Sequence, residues 1–454
     1  MKIPCSKALE QLAKNLGGKL YIVGGYVRNY LTDKSVSKDV DLASPIDCKI
    51  IEDCVVELGG KILAQYKRTG TVVFALQGIK YEFTTFRKDG YSAGGNHTPD
   101  KVDWTDDIRE DALRRDFKCN AVYYDILNER IVDVLDGVED IKNRILDTVK
   151  APKEVFSHDG LRLMRLARFC AELGFSPTKE VIEGAKQNAK NIKDISVERV
   201  WTELKYILQS DQKYAFSDKQ GHYTGLKILD KTRVLDEILP ELTLGRNMAQ
   251  RADFHKHDVL EHTLRCVLYS PKEARFFALM HDIGKPYSMI NTGKFHAHEK
   301  SGVAVSKKVL ERLKVDSKTK DQTIRLIATH MLDMDCNMKE SKVRAFIVKN
   351  HDIFPLLTAL KQADFRASGE STEKCLTVIK WQKIYQKMLA DGTPFSIKDL
   401  KIDAKMLMEL GYKGEEIGKE LEKLFSLCIT SPDKNTKQNL YKKAEKDAKK
   451  EKRV

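Results

Sequence analysis

The chain contains no Cys-x-x-Cys pair, and its nine cysteines follow no framework spacing. That pattern excludes a zinc ribbon and a disulfide-stapled scaffold, and reads as reduced thiols in a cytosolic setting. No run of about 18 apolar residues is present, so nothing in the sequence spans a bilayer. The opening residues, MKIPCSKALEQLAKNL, have no apolar signal core and include an acid, so no targeting segment is evident and a cytoplasmic location is expected. Acids are in deficit. Against 79 lysines and arginines stand 66 aspartates and glutamates, a net charge of +13 that favours a polyanionic partner. No signature of a recognised RNA-binding domain stands out, which suits recognition of shape and backbone over base sequence. No protein partner is evident. At 454 residues there is length for roughly two to four domains with ample cores.

What is present begins at Leu20–Val23, a short apolar run that reads as a strand. It breaks at Gly24-Gly25, continues through Val27-Arg28 into a short helix, and ends in Asp39-Val40-Asp41. Alternate side chains of a strand face one way, so Asp39 and Asp41 point together while Val40 packs behind. Two adjacent carboxylates repel unless a cation sits between them, and Mg²⁺ suits such oxygen ligands and keeps phosphate oxygens in its shell. The glycines let backbone approach a phosphate, and Arg28 adds a charge-assisted contact. Alone, an Asp-x-Asp is usually a solvated pair and a Gly-Gly usually a turn; their conjunction points to metal-dependent phosphoryl or nucleotidyl transfer.

Further along, residues 1–19 read as an amphipathic helix and Lys49–Leu58 as another, followed by strand-like runs at Lys61–Ala64, Thr71–Leu76 and Lys80–Thr85. Lys88–Asp107 is rich in Gly and Asp and reads as a mobile loop. Glu110–Tyr124, EDALRRDFKCNAVYY, reads as a helix ending in a basic pair and then an apolar strand. Arg114 and Arg115 can bind phosphate, and Asp116 can hold an arginine or a ribose hydroxyl; a capped helix with solvated charges is the plain alternative. Phe156–Phe175, FSHDGLRLMRLARFCAELGF, has a strong helix pattern. Asp159, Arg162, Arg165 and Arg168 recur every three residues, a slip of about 60° per step that sweeps a slanted basic stripe. Leu163, Met164, Ala167 and Ala171 take the opposite side. Ser196–Leu208 reads as a helix with a Ser cap.

From His255 onward the residue types change. His257, His262, His281-Asp282, His298, His330 and Asp364 concentrate metal-capable groups in helical sequence. Neutral imidazoles mixed with carboxylates suit transition metals such as Ni²⁺, Mn²⁺ or Fe²⁺, although any one histidine is more often structural. Ser371–Leu389 reads as a long helix, Pro394–Phe425 as two helices about a Gly-rich turn, and YKKAEKDAKKEKRV as a frayed basic tail.

Taken together, GGYVR followed about ten residues later by DVDL, then RRDFKCNA and HDGLRLMRLARF, resembles the nucleotidyltransferase superfamily. The match is to its CCA-adding tRNA nucleotidyltransferase and bacterial poly(A) polymerase branch, and FFALMHDIGKP resembles the HD phosphohydrolase superfamily. The resemblance implies an α+β chain: a nucleotidyltransferase head with a small mixed sheet over 1–150, a helical neck and body over 151–245, a helical HD domain over 246–370 and a helical, tRNA-binding tail over 371–454. It makes Asp39 and Asp41 the catalytic Mg²⁺ ligands, with Glu82 in support. Gly25, Arg28 and Arg115 become triphosphate contacts, backed by Asp116 and Asn120. Asp159 and Arg162 become the protein template for the incoming base, with Arg165 and Arg168 as further nucleotide contacts. That template makes chemical sense. A carboxylate accepts from the exocyclic amino group that cytosine and adenine share, Arg162 donates to their unprotonated ring nitrogen, and guanine and uracil would leave the site unpaired. In the HD module, His262, His281, Asp282 and Asp364 are the implied ligands, with His298 and His330 completing a second position.

Two departures stand out: His158 replaces the usual acid before Asp159, and Asn29 replaces the usual acid after Arg28. The implied activity is template-independent addition of C, C and A to the acceptor arm of tRNA from CTP and ATP, with metal-dependent hydrolysis by the HD module as a second activity. CC-only or A-only addition and poly(A) synthesis are the alternatives in the same chemistry. From another class comes an HD phosphohydrolase whose head only binds RNA.

Overall fold

The computed structural model describes residues 2–35, 39–90, 101–253 and 255–451, which form two compact units: Met1–Thr243 with Glu311–Val315, and Leu244–Leu310 with Asp316–Val454. The expected mixed α+β architecture is what forms. The first unit opens with helix α1 (Lys7–Asn15), started by the Ser6 hydroxyl accepting from the Leu9 amide and buried through Leu9, Leu12 and Ala13. Its strands include β1 (Tyr21–Val23), β2 (Val40–Ser44), β3 (Lys61–Tyr66), β4 (Thr71–Leu76), β5 (Ile79–Thr85), β6 (Arg87–Gly90), β7 (Lys101–Trp104), β8 (Val122–Asp125) and β9 (Arg130–Asp133). Seven of them form one sheet in the order β3-β4-β5-β2-β1-β8-β9. Within this sheet β2 and β5 pair in parallel, which needs the long excursion through β3 and β4 between them. Ile22, Val23, Leu42 and Ala43 bury the centre of the sheet, fixing which faces Asp41 and its neighbours take.

Interspersed are α2 (Gly25–Asp33), α3 (Cys48–Glu57, capped by Asp47), α4 (Ile108–Leu113) and α5 (Gly137–Asn143). The stretch expected to be a mobile loop, Lys88–Asp107, differs: its ends pair as the antiparallel ribbon β6–β7, in register from Arg87 opposite Trp104 to Gly90 opposite Lys101. Residues 91–100 of that expectation lie outside the described residues.

A second difference falls in the basic helix. Phe156–Phe175 is not one helix but two, α6 (Pro152–His158) and α7 (Leu161–Leu173), with Asp159 extended at φ −147° between them. The backbone passes close here: a Cβ on Gly160 would lie 2.2 Å from the Asn191 carbonyl oxygen, so only glycine fits beside the break. Asp159 is thus no part of the helical stripe; its Oδ1 accepts from the Leu161 amide at 2.9 Å, at the start of α7. The apolar side reads as expected, with Leu163, Met164, Ala167 and Ala171 buried. Against α6 packs α8 (Lys179–Gln187), and against α7 pack α9 (Val197–Leu208) and α10 (Gly221–Lys231). Ser196 occupies the N-cap position of α9, but its side chain makes no capping bond.

The second unit is helical throughout, and no helix among the described residues is long and apolar enough to cross a membrane. Its last helix, Lys437–Glu451, takes in residues 441–451 of the stretch expected to fray, and residues 452–454 lie outside the described residues. Leu440 and Ala444, one turn apart, bury against Leu407, Tyr412 and Leu424, and Asp447 pairs with Lys423 and Lys443. A strongly polar sequence is held here by a narrow apolar seam. All nine cysteines are free.

Gly160→Ala should cost about 1–3 kcal/mol through overpacking against Asn191. A denaturant midpoint unchanged from the parent protein would show that the α6–α7 turn has room to relax.

Candidate active site

A cleft of about 660 Å³ in the first unit is lined by every head and neck residue assigned a role above except Glu82, and His158 does not line it either. Gly24 and Gly25 join β1 to α2, and Gly24 needs its freedom: at φ 78° it is left-handed, and an added Cβ would lie 3.2 Å from Asp41 Oδ2. The glycine pair therefore makes room for the acid of β2. Asp39 stands immediately before β2, and Asp41 is the register partner of Glu82 on β5. Asp41 keeps surface open to the cleft, yet the surrounding protein desolvates it. That effect first, then the Glu82 and Asp39 charges, lift its carboxyl to about 6 against the pull of Arg115. Carboxylates crowded this way form an oxygen donor set that a hard divalent cation would relieve.

Opposite the acids stand the guanidinium groups. Arg28 is buried. Its Nε and Nη2 donate to Asn29 Oδ1 at 3.1 and 2.8 Å, its Nη1 donates to Asn120 Oδ1, and its Nη2 also reaches the Tyr214 hydroxyl at 3.3 Å. Arg114 and Arg115 follow α4 and share Asp111, a fully buried carboxylate that also accepts from the Tyr123 hydroxyl at 2.6 Å. Burial would raise the Asp111 carboxyl, but the two arginines and Tyr123 hold it at about 2. Asp116 accepts from Arg165 Nε at 2.7 Å, from Asn120 at 3.1 Å and from the Phe117 amide. Of the two partners expected for it, it has taken the arginine. Burial again works against its charge, and Arg165, Asn120 and Arg162 prevail, holding it at about 2.

Arg162 is anchored on backbone alone: Nη2 donates to the Arg114 carbonyl at 2.6 Å and Nη1 to the Val155 carbonyl at 3.4 Å. With Asp159 fixed by its bond to the Leu161 amide, the two lie at one end of the cleft in defined orientations. Arg168 reaches Glu203 on α9 at 3.2 Å and lies 4.0 Å from Glu172, so it braces helices as well as lining the cleft. Glu172 and Glu203 are both raised, burial outweighing the arginines.

The sequence reading missed several contributors. Asp111 sits one turn before the basic pair, an i to i+3 and i+4 spacing that could have suggested it. Phe169 gave no signal. Its ring centroid lies 4.8–5.3 Å from the guanidinium carbons of Arg28, Arg165 and Arg168, an apolar floor beneath three charges.

The second unit holds a separate cluster. His262, His281 and Asp282 form one set of converging donors and Asp282, His298 and His330 another, so Asp282 is shared. Asp364 Oδ1 lies 3.0 Å from His262 Nε2 and 3.7 Å from His281 Nε2. The Nδ1 atoms of His281, His298 and His330 donate to the carbonyls of Ala278, Phe295 and Ile327 at 2.7–2.9 Å, which turns each Nε2 inward. The Nε2 atoms of His298 and His330 then face one another at 3.1 Å, and those of His262 and His281 are buried without hydrogen bonds. Inward lone pairs of this kind fit a metal ion, and the nitrogen-and-carboxylate set suits a transition metal. Burial would lower the His281 pKa, but Asp282 and Asp364 raise it to about 10, a proton held where a cation would compete. His257 stands outside both sets and meets Glu370 at 3.0 Å. His255, not singled out from the sequence, lies edge-on to His262 with centroids 4.8 Å apart.

Comparison with known proteins follows this division. A model of the poly A polymerase head domain matches residues 20–147, one described as the probable RNA and SrmB- binding site of polymerase A matches 174–244, and an HD domain model matches 246–355. The chain is 35% identical over 210 residues to the CCA-adding enzyme of Staphylococcus epidermidis, covering 45% of this chain and 50% of that one. It is 37% identical over 211 residues to that of Geobacillus sp. strain WCH70, covering 46% and 50%. The chain thus spans about half the length of the curated relatives it matches. Among solved structures, the Bacillus stearothermophilus CCA-adding enzyme in complex with CTP aligns with a TM-score of 0.66 at 21% identity, over 99% of this chain and 100% of that one. A tRNA nucleotidyltransferase complexed with a primer tRNA and an incoming ATP analog aligns with a TM-score of 0.57 at 19% identity, over 85% and 100%. Likeness at these identities speaks to the fold. The chain thus carries, in order, segments similar to the poly A polymerase head, the polymerase A RNA-binding segment and an HD domain.

Proposed function

We propose that the protein is a CCA-adding tRNA nucleotidyltransferase that extends the acceptor arm of tRNA with C, C and A from CTP and ATP, acting in the cytoplasm. The observation that carries the reading is that the acids beside β2, the arginines around Arg28 and Arg115, and the Asp159–Arg162 pair all open on one cleft. Asp39 and Asp41 would hold Mg²⁺, which when bound promotes attack by the RNA 3′-hydroxyl and stabilises the departing pyrophosphate. Gly25, Arg28 and Arg115 bind the triphosphate, with Asp116 and Asn120 fixing the arginines about it. Asp159 accepts from the exocyclic amino group of cytosine or adenine and Arg162 donates to the ring nitrogen. Because both are held by backbone, guanine and uracil meet rigid, unsatisfied partners. Residues 1–150 act as head, 151–245 as neck and body, 246–370 as HD domain and 371–454 as tRNA-binding tail. The intact acids and arginines of the cleft weigh against a head that only binds RNA. The basic motif that follows the acid strand in poly(A) polymerases is not apparent in Lys61–Leu76.

A second activity is proposed for the other unit: phosphoester hydrolysis dependent on a transition metal held by His262, His281, Asp282, His298, His330 and Asp364. The facing imidazole nitrogens favour it.

Extension of tRNA transcripts ending before CCA, after C and after CC, with CTP, ATP or both, should give stepwise CCA and then arrest. Stopping at CC, adding only the last A, or a long A tail would each replace the reading with the corresponding narrower or poly(A) activity. Asp39→Ala and Asp41→Ala should lower addition by at least about a hundredfold while leaving metal-dependent hydrolysis intact, and Asp282→Ala should do the reverse. Joint loss in either variant would mean that the two sites are not separate. Arg162→Ala should cut the preference for CTP over UTP and ATP over GTP by about two orders of magnitude; unchanged preference in competition assays would remove Arg162 from base selection.

A further inference from the structure

Most arginines of the head cleft are already ion-paired within the protein itself. Arg114 and Arg115 share Asp111, Arg165 is bound to Asp116, and Arg87 is bound to Asp89 at 2.8 Å. Arg28 is held differently. Its guanidinium donates to Asn29, Asn120 and Tyr214, and every one of these acceptors is a neutral oxygen. Arg28 and Asn29 are each only 2% exposed, so bulk water does little to compensate the charge. The carboxylate of Glu172 feels Arg28, but it also lies beside Arg168, and burial shifts it toward the neutral form. Beneath the guanidinium lies the Phe169 ring, 5.3 Å from its central carbon, which fixes its plane without supplying a counter-ion.

A buried cation oriented by neutral groups is unsatisfied until an anion reaches it. The side-chain amide of Asn29 supplies the two-bond acceptor that a carboxylate would supply, without the negative charge. We infer that Asn29 is a positioning residue that orients Arg28 while leaving its full charge for the triphosphate of the incoming nucleotide. The inference rests on the nucleotidyltransfer reading and makes the neutrality of residue 29 a condition of polyphosphate affinity, independent of which base is selected. A plain packing role for Asn29 would instead make its replacement matter for folding and not for ligand charge.

The test is calorimetric binding of CTP, CDP and CMP with Mg²⁺ to the full-length protein and its Asn29→Asp and Asn29→Ala variants, alongside single-turnover addition to tRNA. Asn29→Asp places a charge against Arg28 and should weaken CTP on the order of tenfold, CDP less and CMP least, since the lost attraction grows with ligand charge. Asn29→Ala leaves the charge and removes the orientation. It should keep CTP affinity within about threefold and slow addition about tenfold. Unchanged CTP binding in Asn29→Asp, or an equal loss for CTP and CMP, would overturn the inference. Should Asn29→Asp fail to fold, Asn29→Ala decides: unchanged rate with unchanged affinity overturns it too. A parent protein that binds no CTP at all would overturn the nucleotidyltransfer reading itself, a result separate from any effect of Asn29.

Discussion

One buried carboxylate, Asp116, decides whether the cleft has a second wall. It follows the basic pair of the head, and it binds Arg165 of α7. Through Asn120 the same carboxylate leads on to Arg28 of α2, so that arginine and the arginine stripe of α7 share one support. Two charges withdrawn from water this far are costly, and their mutual attraction repays the cost only when further hydrogen bonds complete the set. Here the Phe117 amide and the Asn120 amide complete it. Removing either partner alone would strand the other, a loss of about 3–5 kcal/mol in comparable buried pairs.

Much of the head was legible because its chemistry is local. A strand, two glycines and an alternating acid pair determine their own geometry within a few residues, and the sheet that formed places them accordingly. The basic helix was legible in its residues but not in its shape. Helical periodicity runs straight through Asp159 and Gly160, whereas the structure breaks the helix at Asp159 and packs Gly160 against Asn191, some thirty positions away. The same limit hid Phe169, whose importance arises from three arginines gathered around it from two separate segments. The tail was misjudged for the opposite reason. Its composition is that of a solvated chain, and two small apolar contacts outweigh it.

The metal-capable residues of the second unit could be named from their types and order, but not sorted. Sorting depends on which nitrogen each ring turns inward, and that is set by the carbonyls of Ala278, Phe295 and Ile327, groups that every sequence contains. Backbone thus does in this unit what it does for Arg162 in the other: it orients a functional side chain with partners that carry no sequence signal.

Asp282 belongs to both donor sets, with Oδ2 toward His262 and His281 and Oδ1 toward His298 and His330. Its two oxygens draw on one delocalised negative charge. A cation held by one oxygen would leave the other a weaker donor, so any two ions bound here would trade affinity through a single three-atom group. Occupancy of one donor set would then be a property of the pair, with neither seat of independent strength.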